Sequence, residues 1–233
     1  MIKKITASVV LFAIFYSGLP STSHAAPSGG TRIPPKFKIE SGYEYNAMFK
    51  NALSHSFGDL ATQDHFYTLS YGVADWFALD GQIGFGNVTE KNGKLPTLPY
   101  NTAFAGGYGF RMKVFEHEKW GLRAIAGFQH ICVHPQVRSV NDDKYEAILD
   151  DWQLSALLAK DFKILTVYAG MKGSDCQLIY TLNKHDRKRV SADWHLGLIT
   201  GAELYLFDKK ARLNAEGRFF DETALTASLS YLF

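Results

Sequence analysis

The sequence predicts an all-β protein: a closed antiparallel up-and-down transmembrane barrel of ten strands, with eight as the alternative count. Three observations carry this. Apolar and polar residues alternate with period two in ten separate segments. Beyond the N-terminus, no run approaches the roughly 20 apolar residues that a spanning helix requires. Short and long connections take turns along the chain, as they do when tight turns occupy one rim of a barrel and loops the other.

The N-terminus reads as a secretory signal over residues 1–25. Lys3 and Lys4 start it, Ile5 to Leu19 form its apolar run, and Ser23-His24-Ala25 is a small-x-small cleavage site. Residues 26–36 hold Pro27, Pro34, Pro35, Gly29 and Gly30 and read as an extended periplasmic leader. The barrel is assigned to residues 37–233. An exported membrane chain without a spanning helix has one way to pair all its backbone groups in lipid, which is to close a sheet on itself.

The first strand, 37–48, sets Phe37, Ile39, Tyr43 and Tyr45 against Lys38, Glu40 and Glu44. The second, 65–73, carries Tyr67, Leu69, Tyr71 and Val73 outward. The third, 77–88, opposes Leu79, Ile83 and Phe85 to Asp80 and Gln82. The fourth, 100–115, opposes Phe104, Tyr108, Phe110 and Met112 to Gly107, Arg111 and Lys113. The fifth spans 122–133, with Ala124, Ala126 and Phe128 against Arg123 and Gln129. The sixth (145–159) and seventh (163–172) carry Trp152, Leu154, Leu165 and Val167 outward, and Lys172 inward. The eighth, 192–207, opposes Trp194, Leu196, Leu198 and Leu204 to Glu203. The ninth, 212–220, opposes Leu213, Ala215 and Phe219 to Arg212, Glu216 and Arg218. The tenth runs to the last residue, with Leu225, Ala227, Leu229, Tyr231 and Phe233 on one face and Thr226, Ser228 and Ser230 on the other.

Segments 49–64, 89–99, 134–144 and 173–191 are assigned to long polar loops. Trp76 and Trp120 fall at short turns, and Trp152 and Trp194 near the opposite strand ends. That spacing marks two headgroup levels, because an indole keeps one N–H wet. The formal charge is +2, and the two signal lysines account for it. A neutral remainder argues against a nucleic-acid partner.

A chain that ends on an aromatic residue inside an alternating strand resembles the C-terminal signature of bacterial outer-membrane β-barrels. Leu229, Tyr231 and Phe233 carry that resemblance as an assembly signal. It implies a monomer in the bacterial outer membrane, with the barrel-assembly machinery, membrane lipid and lipopolysaccharide as partners.

The inward charged set is Glu40, Glu44, Asp80, Arg111, Arg123, Glu203, Arg212, Glu216 and Arg218, together with Lys38, Lys113 and Lys172. Mixed signs on neighbouring strands favour a lumen filled by ion pairs over a selective pore, which usually shows one sign. Export makes a Cys132–Cys176 disulfide the simplest account of the two cysteines. His130, Cys132 and His134 are a candidate metal set at i, i+2 and i+4, without a fourth ligand.

Asp193 and His195 flank Trp194, and on a strand they share a face. This Asp-x-His resembles that of the omptins, ten-stranded outer-membrane proteases. The resemblance covers three residues, and it requires an acidic pair across a cleft, for which Asp142-Asp143 and Asp150-Asp151 are the candidates. The run 184–189 is basic and suits lipopolysaccharide phosphates. No motif calls for a cofactor. The expected function is a structural or surface-interaction barrel, not an enzyme. A narrow solute channel and an outer-leaflet hydrolase are the alternatives.

Overall fold

The computed structural model describes residues 27–91, 98–140 and 142–233. The expected signal and its cleavage site lie outside them. Among the described residues, no helix is long and apolar enough to cross a membrane. The chain crosses with strands.

The strands are β1 (Ile39–Leu53), β2 (Gly58–Ala74), β3 (Phe77–Lys91), β4 (Leu98–Pro99), β5 (Ala103–His117), β6 (Leu122–Val133) and β7 (Arg138–Val140). They continue as β8 (Asp143–Asp161), β9 (Leu165–Leu182), β10 (His185–Ser191), β11 (Leu196–Leu206), β12 (Ala211–Phe219) and β13 (Glu222–Leu232). Ten of them close a ring of antiparallel neighbours: β1-β2-β3-β5-β6-β8-β9-β11-β12-β13 and back to β1. The closing pair is in register from Glu40–Leu232 to Met48–Ala224, and the chain's last amide, Phe233 N–H, donates to Ile39 O at 2.8 Å. Both ends of the ring therefore meet at the short-turn rim.

Period-two patterning decides which face is which. In β13, Leu225, Leu229 and Tyr231 are exposed on the outer wall, while Thr226 and Ser230 are buried inside. The same holds around the ring, where Tyr67, Ile83, Phe104, Leu158 and Met171 stand outward. So much exposed apolar surface is costly in water. On a closed barrel it is the wall that faces lipid, and the protein is an outer-membrane β-barrel. Trp76 and Trp120 are exposed at the short-turn rim, and Trp152 and Trp194 toward the other end.

Three loops expected from the sequence are sheet instead. Residues 49–64 continue β1 and β2 up to a 3-10 turn at Ser54–Ser56. In 134–144, β7 pairs with the start of β8. Residues 173–191 continue β9 to Leu182 and return as β10. Their alternation is present but reversed in chemistry: Cys176, Leu178 and Tyr180 point inward and are buried, while Asp175 and Gln177 point outward. Strands that leave the bilayer no longer need an apolar outer face, so the apolar-out rule fails there.

The interior consequently has two parts. Inside the long-loop end, Met48, Leu53, Leu60, Phe66, Val88, Tyr100, Ile131, Val133, Leu149, Leu178 and Val190 form one buried apolar cluster. The rest of the interior is mostly polar and charged, apart from a small apolar cluster of Ile125, Leu157, Ala159, Tyr168 and Ile199 packed against Ile33.

Candidate functional site in the lumen and at the outer rim

The polar lumen is built on a segment outside the ring. Residues 27–34, expected as a periplasmic leader, run inside the barrel. Ser28, Gly30, Thr31 and Arg32 are buried. The chain turns at the short-turn rim, where Phe37 N–H donates to Gly72 O at 2.7 Å and Lys36 N–H to Asp75 Oδ1 at 3.0 Å. A Cβ at Gly72 would collide with the carbonyls of Pro34 and Pro35, so glycine lets the strap pass. Extended and rich in proline and glycine, the strap makes no ladder and exposes its backbone groups to the wall.

The wall answers several of them. Thr31 N–H and Oγ1 donate to the two oxygens of Glu203, both at 2.7 Å. Ser28 N–H donates to Glu216 Oε1 at 3.0 Å, and its hydroxyl to Glu216 Oε2. Arg111 Nη1 donates to the carbonyls of Gly29 (2.6 Å) and Arg32 (2.8 Å). The same guanidinium holds Asp80 with both Nε (2.8 Å) and Nη2 (2.7 Å). Arg212 bridges Glu203 (2.9 Å) and Glu40 (2.7 Å), and Arg32 pairs with Glu40 at 2.9 Å. Arg123 donates to Thr31 Oγ1 at 2.8 Å and pairs with Asp161 at the rim.

A second network lies nearer the apolar cluster. Arg218, fully buried, donates to Glu222 (2.6 Å), Glu216 (3.1 Å), Thr226 (2.6 Å) and Asn46 (2.6 Å). Lys172 pairs with Asp221 at 2.7 Å and Glu222 at 2.6 Å. Glu216 joins the two networks, since it accepts from both Ser28 and Arg218. Within these two networks the buried charges of mixed sign are tolerated because each named group has a partner at bonding distance.

The inward set read from the sequence thus meets in one place: Glu40, Asp80, Arg111, Arg123, Glu203, Arg212, Glu216 and Arg218 all take part, and Glu44 is buried beside them. Lys38 is exposed, and Lys113 pairs with Glu116 near the short-turn rim at 2.5 Å. Sequence reasoning missed Ser28, Thr31 and Arg32, which lie in no strand. It also missed Asp221 and Glu222, at the bend that opens β13, which are buried inside. Gln153 was legible by parity alone; Asp64 falls in a segment expected as a loop, and Asp151, expected only as half of a candidate acidic pair, is buried on the inner face.

The two cysteines do not form the expected disulfide; both are free. β6 turns Cys132 outward and β9 turns Cys176 into the apolar cluster, so the barrel wall stands between them. The metal set does not assemble either: no group of three candidate ligands exists among the described residues. His130 Nε2 is 2.8 Å from Asp150 Oδ1, with its ring packed on Trp152 at 4.2 Å, while His134 sits beside Phe104.

Asp193 and His195 are not on one strand. Ala192 makes an isolated bridge to Leu53, Asp193 N–H donates to Ala52 O at 2.8 Å, and β11 begins only at Leu196. Both residues line a cleft of about 470 Å³ at the outer rim, with Ser54, His55, Phe57, Arg189 and Ser191. Tyr231 and Phe233 pack edge to face at 5.0 Å on the outer wall at the closing seam, and Leu229 is exposed on that wall.

No protein-family model matches the sequence, and no curated protein matches it. Solved structures with a similar fold are bacterial outer-membrane barrels. The translocator domain of the autotransporter NalP from Neisseria meningitidis is similar at 11% identity and a TM-score of 0.48, over 88% of this chain and 88% of that one. Ail, the attachment invasion locus protein of Yersinia pestis, is similar at 9% identity and a TM-score of 0.45, over 84% and 97%. The outer membrane protease OmpT of Escherichia coli is similar at 10% identity and a TM-score of 0.43, over 89% and 100%. At these identities the likeness concerns fold.

Proposed function

We propose that this outer-membrane barrel is non-conducting and non-enzymatic, and that its working surface is the outer rim, where it meets lipopolysaccharide and other surface partners. One set of observations supports the reading: a strap, two ion-pair networks and a buried apolar cluster follow one another inside the barrel. The strap and its ion pairs occupy the short-turn half, the Arg218 and Lys172 networks lie beyond them, and the apolar cluster seals the long-loop half. A hydrated pathway needs a continuous polar bore, and the apolar cluster interrupts it. The strands that leave the bilayer, β8 to β10 above all, present charged and polar side chains outward, as a surface built for contact with water and headgroups does.

Liposome swelling tests this. Vesicles containing the folded protein are expected to swell no faster than empty ones in isotonic glycine or arabinose. Swelling that scales with protein content would overturn the reading in favour of the narrow channel.

A further inference from the structure

We infer that the outer-rim cleft between β10 and the tip of the β1–β2 hairpin binds the phosphorylated sugar of an outer-leaflet glycolipid. The inference rests on the reading of the outer rim as the working surface and gives that surface a site and a ligand chemistry.

The cleft exists because the wall changes partners. Along its lower half β9 pairs with β11; from Gln177 to Leu182 it pairs with β10 instead. β10 has β9 on one edge only; just past its end Ala192 bridges Leu53 and Asp193 N–H donates to Ala52 O. Above that bridge the wall parts, leaving about 470 Å³. This is the size range of small-ligand sites.

The lining suits a phosphate on a sugar. Arg189 offers a guanidinium fork, the geometry that grips phosphate oxygens in pairs. His55 and His195 offer ring nitrogens, and His195 Nδ1 is buried with no hydrogen-bond partner. Ser54 and Ser191 add hydroxyl donors, and Asp193 supplies an acceptor for a sugar hydroxyl. His55 is held at φ 58°, in the left-handed region that a β-carbon disfavours.

Charge and depth agree with this. Lys184, in the turn before β10, and His185, Arg187 and Lys188 on it are exposed above the cleft and raise the local positive potential. Trp194, 67% exposed, stands between the two cleft residues Asp193 and His195, and an exposed indole at the strand ends marks the headgroup layer. A ligand here arrives from the outer leaflet with its phosphate at the level of Arg189.

The test uses the full mature protein in nanodiscs containing a small fraction of lipid A, with Trp fluorescence as readout. Matched nanodiscs carry dephosphorylated lipid A. Wild type is expected to respond to lipid A and not to the dephosphorylated lipid. Arg189→Ala with His195→Gln is expected to weaken the response by about 10-fold or more, the loss of charge-assisted hydrogen bonds. Lys184→Ala, outside the cleft, is expected to change it less than about 3-fold. Unchanged heat-modifiable migration shows that each variant folds.

Equal loss in the cleft and Lys184 variants would overturn the site and leave only diffuse attraction along β10. No response to lipid A would overturn the ligand. Neither result makes vesicles permeable, so the reading of a closed lumen stands or falls separately. Competition by millimolar glucosamine 1-phosphate is expected, because the sugar phosphate is the recognised group. Lipid A binding that glucosamine 1-phosphate does not reduce would overturn that assignment in favour of the acyl portion.

Discussion

Gly29 and Gly30 give a paired test of the strap. Both have positive φ, 71° and 76°. Alanine at either therefore carries a strain of about 1–2 kcal/mol. Their surroundings differ. A Cβ at Gly29 would sit 3.4 Å from Arg111 Nε, a tight but adjustable contact. A Cβ at Gly30 would collide with Glu203 Oε1 and stand 2.8 Å from Arg212 Nη1. Glu203 cannot yield freely, because its oxygens also receive Thr31, Tyr205 and Arg212. Gly30→Ala thus adds the loss of at least one charge-assisted hydrogen bond, about 1.5–3 kcal/mol. The expected total is about 3–5 kcal/mol for Gly30→Ala against about 1–2 for Gly29→Ala. Urea unfolding in bilayers, followed by heat-modifiable migration, measures both. Equal costs would mean that the strap does not lie against Glu203, and the reasoning would fail.

Removing Arg218 by Arg218→Met should cost about 3–5 kcal/mol in the same assay, because Glu216 and Glu222 are left buried with a lost partner; a loss under 1 kcal/mol, roughly the worth of an exposed pair, would contradict it. Leu198→Arg, on the lipid wall, should cost about 2–4 kcal/mol, whereas Thr226→Arg should cost more, since Thr226 is fully buried against Arg218 and Asn46; the reverse order would show the faces misassigned. Changing Tyr231 and Phe233 to Ser should lower outer-membrane yield, and an unchanged yield would remove the assembly signal. Alkylation of unreduced, denatured protein should find two free thiols, and in folded protein Cys132 should react well before Cys176, which is 2% exposed; a mass showing a bonded pair would contradict the structure.

The ring itself was legible because lipid imposes a strict rule on ten strands. Leu122–Val133 matches its expected bounds, and β12 and β13 are close to theirs. The rule lapses outside the bilayer, which is why the sequence around Cys176, Leu178 and Tyr180 reads as a loop. There the inward face becomes apolar and the outward face polar, and a chain read for the opposite pattern shows none. The charged lumen set was legible from parity, since Glu203 and Arg212 alternate with Leu204 and Leu213. The partner of that set was not. Ser28 and Thr31 belong to an eight-residue stretch without periodicity, and only the fold brings it to Glu216 and Glu203. The disulfide failed for a related reason: compartment chemistry permits a bond, but β6 and β9 give the two thiols opposite faces.

The central claim is that the lumen is closed twice, by the strap and by the apolar cluster. Planar-bilayer recording of the protein beside a variant lacking residues 27–34 tests it most directly. No steady open level is expected from either, because Phe66, Leu149 and Leu178 still seal the long-loop half when the strap is gone. A steady, ohmic conductance from the wild type would contradict the account outright; one that appears only in the deletion would show that the strap, and not the apolar cluster, is the seal.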